Sequence, residues 1–131
     1  LNAILKGVFM KMVNVNELKG KTIVGMSCYR VGNELFEVRC SDNSVYLFQN
    51  IENSERVYLD EELDDSSLVM NSPLTLVKRV VETQEVNNGK TSYLLTWTVF
   101  HFETENGMLL VGFRSKSYKL ESVDVNVYQL K

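Results

Sequence analysis

The chain's one histidine, His101, stands two residues before Glu103 in a run of apolar and threonine residues. On an extended strand side chains two apart share a face, so the pair has the spacing of a general base beside a carboxylate. A base needs something to activate. The 131 residues hold no Ser-His-Asp order, no nucleophile elbow and no glycine-rich phosphate loop. Gly20-Lys21-Thr22 ends as a Walker A motif ends, without the upstream glycine. A small hydrolase using His101 and Glu103 is thus the weakest functional reading, and a half-buried strand histidine opposite Gly112 the simpler account. Catalytic residues are not expected. Cys28 and Cys40 lack C-x-x-C spacing and, with one histidine, supply at most three candidate ligands where structural zinc takes about four. Asp60, Glu62 and Asp64 alternate as in a calcium loop, but Asp65 occupies the turn-glycine position and Asn71 the closing-glutamate position. Neither a metal nor a cofactor is expected. The acidic run from Glu52 to Asp65 reads as a solvated loop whose carboxylates lie at a helix N-terminus; an acidic surface for a basic partner is the alternative.

Binding is the chemistry that remains. Trp97, His101, Glu103 and Arg114 fall on one face of a hairpin, and Tyr46 and Arg39 on the mixed face of another; these six are the candidate partner-binding residues. Trp97, Tyr46 and Phe48 are rings on which a base or nucleotide could stack, although aromatics on a sheet also serve packing. A net charge of -3 and a pI near 5.2 weigh against a binder that works by neutralising nucleic-acid phosphates. No apolar run approaches the ~20 residues of a membrane span. Leu1 to Met12, modestly apolar with Lys6 and Lys11, has no small-residue cleavage site. Residues 1–12 are read as a flexible segment ahead of a single domain spanning 1–131, with Met10 or Met12 as candidate starts.

The elements that must position these residues are strands. Asn106-Gly107 between two alternating runs is a hairpin signal, and a two-residue turn there pairs Phe102 with Val111 and Phe100 with Phe113. Leu94, Phe100, Phe102, Leu109, Val111 and Phe113 then form an apolar face, with Leu95, Trp97, Val99, His101, Glu103 and Arg114 opposite. Asn88-Gly89 closes a long strand from Leu74, pairing Val80 with Trp97 and Val77 with Phe100. Gly32-Asn33 sets Tyr29 against Phe36 and Cys28 against Glu37, and Asp42-Asn43 sets Val38 against Leu47. In that register Ile23, Tyr29, Phe36, Val38, Cys40, Val45 and Leu47 face the core, while Met26, Cys28, Glu37, Arg39, Tyr46 and Phe48 face away. The two cysteines fall on opposite faces, which favours thiols and a reducing, cytoplasmic setting. One helical turn is expected over Val13–Lys19 and a helix over Glu61–Asn71, with Pro73 beyond its end. A final strand, Glu121–Leu130, is expected beside the Phe113 strand. The sum is a mostly β domain of about eight antiparallel strands in hairpins or a meander, with one or two short helices.

Four segments in order, Leu18-Lys19-Gly20-Lys21-Thr22-Ile23, Gln49 with Glu55-Arg56-Val57-Tyr58, Thr96-Trp97-Thr98-Val99-Phe100 and Glu121-Ser122-Val123-Asp124, resemble an uncharacterised family of small phage and prophage domains. That family usually carries an adjacent cysteine pair in its second segment; here Asn50–Ser54 has none, so a metal or redox role for that pair does not transfer. The resemblance implies a phage origin rather than an activity. It favours a non-enzymatic binding protein, a counter-defence factor that sequesters a small nucleotide-like ligand or blocks a host protein. The alternative is a structural or accessory phage assembly protein. Apolar residues expected on the second faces of both sheets (Tyr46, Phe48, Met26; Trp97, Val99, Leu95) imply a homodimer, since closed two-fold pairing is the commonest way to bury such patches.

Overall fold

Alternation along two of the three longest strands decides the architecture. Thr96, Thr98, Phe100, Phe102 and Thr104 are buried while their odd-numbered neighbours are half-buried, and Leu109, Val111, Phe113, Ser115 and Ser117 alternate in the same way. A sheet with one such face needs a second layer, and a second sheet supplies it. The computed structural model describes residues 2–5, 8–29, 34–50, 57–59 and 66–130. Its strands are β1 (Asn2–Leu5), β2 (Val8–Val13), β3 (Ile23–Tyr29), β4 (Leu35–Cys40), β5 (Val45–Gln49), β6 (Val57–Leu59), β7 (Leu76–Asn87), β8 (Ser92–Thr104), β9 (Gly107–Ser117) and β10 (Asn126–Leu130). They form a six-stranded sheet in the order β1-β2-β10-β5-β4-β3 and a four-stranded sheet in the order β6-β9-β8-β7. Every strand pairing is antiparallel, and the protein is mostly β, as expected.

The inner faces of both sheets share one core. Phe48 lies 4.7 Å from Phe100 and 5.7 Å from Phe102, centroid to centroid, in edge-to-face contact, with Phe36 behind it at 5.5 Å. Edge-to-face geometry sets the positive rim of one ring against the negative face of the next. Val123 and Val125 fill the core from the connection between the sheets.

Four expected registers differ from the observed ones. The β4–β5 connection is not a two-residue turn at Asp42-Asn43. Cys40 donates its N–H to the Ser44 carbonyl at 2.9 Å, Asn43 takes φ +69°, and Asp42 Oδ1 accepts from the Ser44 N–H at 3.0 Å. Three residues then form the loop, and Val38 pairs with Tyr46 instead of Leu47. That one-residue slip moves Tyr46 and Phe48 from the outer face to the core. Along β3, Cys28 pairs with Phe36 and Met26 with Val38, and a register shift between Ile23 and Gly25 lets Ile23 stay inward as well. Both cysteines therefore face the core, and no disulfide joins them. Tyr29, expected inside, is 47 % exposed.

The longer hairpins slip by two. In β7–β8 the tip is Gly89-Lys90, with Gly89 at φ +93° in the first central position, where a type II′ turn wants glycine. Asn87 and Asn88 hold it through side-chain oxygens that accept from the Gly89 and Thr91 N–H groups at 2.9 and 3.0 Å. In β8–β9 the Thr104 hydroxyl accepts from the Asn106 N–H at 3.1 Å, and Glu105-Asn106 becomes the tip. Val77 meets Phe102 and Phe100 meets Val111. Both expected faces survive.

Other departures concern connectivity. The two meanders β3-β4-β5 and β7-β8-β9 are interrupted by crossings, since β10 returns to the first sheet between β2 and β5 instead of pairing with β9. Thr96 Oγ1 accepts from the Val123 N–H at 3.3 Å, which holds residues before β10 over the core, and β6 takes the side of β9 that β8 leaves. Residues 2–5 and 8–13, read as flexible, are strands, and Met10 is fully buried beside Leu47 and Tyr128. The helical turn near Leu18 is a 3-10 turn, Val15–Leu18, with Asn14 Oδ1 accepting from the Asn16 N–H at 2.9 Å. Of the helix expected over Glu61–Asn71, only a 3-10 turn at Ser66–Leu68 is seen; residues 61–65, most of the acidic run and the Gly32-Asn33 turn lie outside the described residues.

Candidate binding face

Four of the six candidate residues come together. The period-two pattern of β8 turns Trp97, His101 and Glu103 to the outside of the four-stranded sheet, and β9 turns Arg114 the same way. Trp97 is directly opposite Arg114, which is opposite Tyr58 of β6 on its other side. Across the other edge of β8, Trp97 meets Glu82 and His101 meets Lys78. His101 faces Leu110, not Gly112.

The histidine and its carboxylate are close but not bonded. His101 Nε2 lies 3.8 Å from Glu103 Oε2, beyond hydrogen-bond reach, and Nε2 is buried without a hydrogen-bond partner. Its directly opposed residues, Lys78 and Leu110, carry neither hydroxyl nor thiol. The arrangement offers a base without a nucleophile beside it.

Two parts of this face have the character of a contact surface. Toward the β7–β8 hairpin, Tyr58, Tyr93, Leu95, Arg114, Ser115 and Lys116 line a cleft of about 350 Å³. The Lys116 ammonium sits 4.4 Å from the Tyr93 ring centroid, and Tyr118 packs edge-on to the same ring at 5.5 Å. Two cations i and i+2 on β9 thus project beside aromatic rings. Toward the other end, Met108 (50 % exposed), Leu110 (47 %) and Val80 (41 %) continue the apolar surface around Val99.

The remaining two candidates are elsewhere. Tyr46 is buried in the sandwich, with the Lys21 ammonium 5.5 Å from its ring centroid. Lys21 Nζ donates to Asp42 Oδ2 at 2.5 Å and to Ser44 Oγ at 3.2 Å. The bond to Asp42 raises the Lys21 pKa to about 12, and the same bond, helped by Ser44, holds the Asp42 carboxyl well below the usual carboxylate range. Arg39 lies on the outer face of the six-stranded sheet. Its guanidinium occupies the space a side chain at Gly25 would need and bonds Ser27 Oγ at 3.0 Å as well as the Glu37 carboxylate. Tyr46 serves the core, and Arg39 serves local structure on the outer face of the other sheet from Trp97.

Sequence reasoning missed Tyr58, Tyr93 and Lys116. Lys116 was legible, since it is two residues beyond Arg114 on the same strand; Tyr58 reaches the face only through the β6–β9 pairing. It also missed a polar cleft of about 620 Å³, where Asn14, Asn16 and Asn126 meet Lys78 and Arg79. Arg79 is already engaged there, donating from Nε to the Val125 carbonyl at 3.1 Å. Among the described residues, no group of three His, Cys, Asp or Glu side chains is placed to hold a metal ion, and no helix is long and apolar enough to cross a membrane. Compared with protein families, curated proteins and solved structures, the chain matches none.

Proposed function

We propose that this chain is a non-enzymatic binding protein whose working surface is the outer face of the four-stranded sheet. The observation that carries the reading is the Tyr58–Tyr93–Arg114–Lys116 cleft: paired cations among aromatic rings, on a protein of net charge -3. Rings supply a stacking surface for a base, and the guanidinium and ammonium supply charge-assisted hydrogen bonds to a phosphate. The cleft's size falls at the low end of small-molecule sites. A nucleotide-like ligand is the chemical class that fits, and sequestering it is the role. The resemblance to phage domains sets that role as counter-defence within a host cytoplasm, a setting that suits two unbridged cysteines.

The exposed apolar stretch of Met108, Leu110 and Val80 favours a second reading, in which the same face blocks a host protein. Calorimetric titration with mono-, di- and cyclic nucleotides separates the two. Sequestration requires saturable binding that Arg114→Ala and Lys116→Ala each weaken by about tenfold or more, the scale of one charge-assisted hydrogen bond. Titrations that stay flat, or that neither substitution alters, would remove the nucleotide reading. Capture of a host protein that Leu110→Glu abolishes would install the second one.

A further inference from the structure

A long run of exposed residues lies on a sheet edge. β7 is the last strand of the four-stranded sheet, and its residues Lys78–Glu85 are exposed one after another, on both faces. Val80 and Val81 are adjacent in sequence and on opposite sides of the strand, at 41 % and 37 % exposure. Among the described residues β8 is its one strand partner. The hydrogen-bond parity of that pairing follows from the turn. Asn88 donates its N–H to the Thr91 carbonyl at 3.1 Å, so the pair is a hydrogen-bonded one. Alternation then assigns the even residues of β7 to β8 and points the N–H and C=O groups of Val81, Thr83 and Glu85 outward. Sheet edges of this length are ordinarily shielded, because they present a template for another strand. Here the Val15–Leu18 turn packs against β7, and Asn14 and Asn16 line a cleft together with Lys78 and Arg79, near the start of the strand.

We infer that β7 pairs antiparallel with β7 of a second copy, across a two-fold axis at Thr83. In that register the central pairs match and Val81 falls opposite the second copy's Glu85. Val80 falls opposite the second copy's Val86, Thr83 opposite Thr83, and Glu82 opposite Gln84 instead of another carboxylate. Arg79 lies diagonal to Glu85. Valine pairs and threonine pairs are favourable cross-strand neighbours, and like charges directly opposed are not. Moving the axis one residue to Glu82 would set that carboxylate against itself, which disfavours that register. The pairing joins two four-stranded sheets into one continuous sheet and leaves the outer faces of both copies open.

Light scattering across a dilution series, with circular dichroism on each sample, tests this. Wild type should reach twice the 15.0 kDa chain mass. Thr83→Pro removes an edge-facing N–H that β8 does not use, so it should halve the mass while the β spectrum persists. Gln84→Pro removes an N–H that β8 does use, and should unfold the hairpin instead. Thr83→Lys sets two ammonium groups directly opposite each other at the axis while leaving the backbone N–H in place; it should also give a folded species of single-chain mass and decides the matter if Thr83→Pro fails to fold. Wild type at 15.0 kDa at every concentration, or a doubled mass that a folded Thr83→Pro or Thr83→Lys leaves unchanged, overturns the inference.

Discussion

Replacing Phe48 tests the one-residue slip on which the core assignment rests. Phe48 has no exposed surface and touches Phe36, Phe100 and Phe102 with its ring. Phe48→Ala should cost about 3–5 kcal/mol, from lost transfer free energy and a cavity the rigid sandwich only partly closes. Against a total stability of about 5–15 kcal/mol for a domain, that is a large share. Tyr29, inward in the alternative register and 47 % exposed in this one, should tolerate alanine within about 0.5 kcal/mol. The measurement is urea unfolding followed by circular dichroism, read as midpoint shift at constant slope so that altered compactness is not mistaken for altered stability. Leucine at positions 48 and 100, singly and together, adds a double-mutant cycle. The edge-to-face contact at 4.7 Å should appear as a coupling of about 0.5–1.5 kcal/mol. Tyr29→Ala costing more than Phe48→Ala would restore the other register and refute the aromatic core. The same geometry removes Phe48 from any dimer seam: Phe48→Glu should unfold the chain, not release soluble monomers.

Other substitutions probe smaller features. Asp42→Asn should lower stability near neutral pH by at most about 1 kcal/mol, because the pair it breaks is half-exposed. Asp42's folded pKa lies below its unfolded one, so the difference from wild type should shrink as pH falls below about 4, where the unfolded carboxylate already binds its proton. Lys21 contributes in the opposite sense: its pKa is raised to about 12, so its share is complete below the unfolded value near 10.4 and fades as pH rises through 12. Unfolding curves of wild type and Asp42→Asn at several pH values check both. Thiol titration should count two thiols in denaturant, while in the native protein Cys28, half-buried, reacts before Cys40, whose thiol burial pushes up; equal rates would contradict the packing of Cys40. His101→Ala should leave the unfolding midpoint nearly unchanged, since the ring makes no hydrogen bond through Nε2.

The class of fold was legible because alternation is local. Phe100, Phe102, Leu109, Val111 and Phe113 announce a one-sided sheet whichever residue closes the hairpin, and the observed burial follows them. The order of strands was not. Nothing near Glu121–Leu130 says that this segment returns between β2 and β5; the Thr96 hydroxyl, distant in sequence, holds Val123 where it must cross. Met10 likewise reads as an end residue until β10 lies beside it.

The candidate site was half legible, and the parity of each slip explains which half. Side chains repeat with period two along a strand, so an error of two residues in register leaves every one on its face, and an error of one inverts them all. The Asn88-Gly89 and Asn106-Gly107 turns were each displaced so as to move the pairing by two, and Trp97, His101, Glu103 and Arg114 stayed together. The Asp42-Asn43 connection moved it by one, which sent Tyr46 into the core and left Arg39 alone on the far sheet. The deciding residues are small. Asn43 accepts a positive φ, and Asp42 and Ser44 satisfy each other across a three-residue loop that an Asx-type turn favours over the tighter one. A reading that weighs which turn the Asp and Ser side chains can close would have placed Phe48 inside, and would have kept one candidate face instead of two.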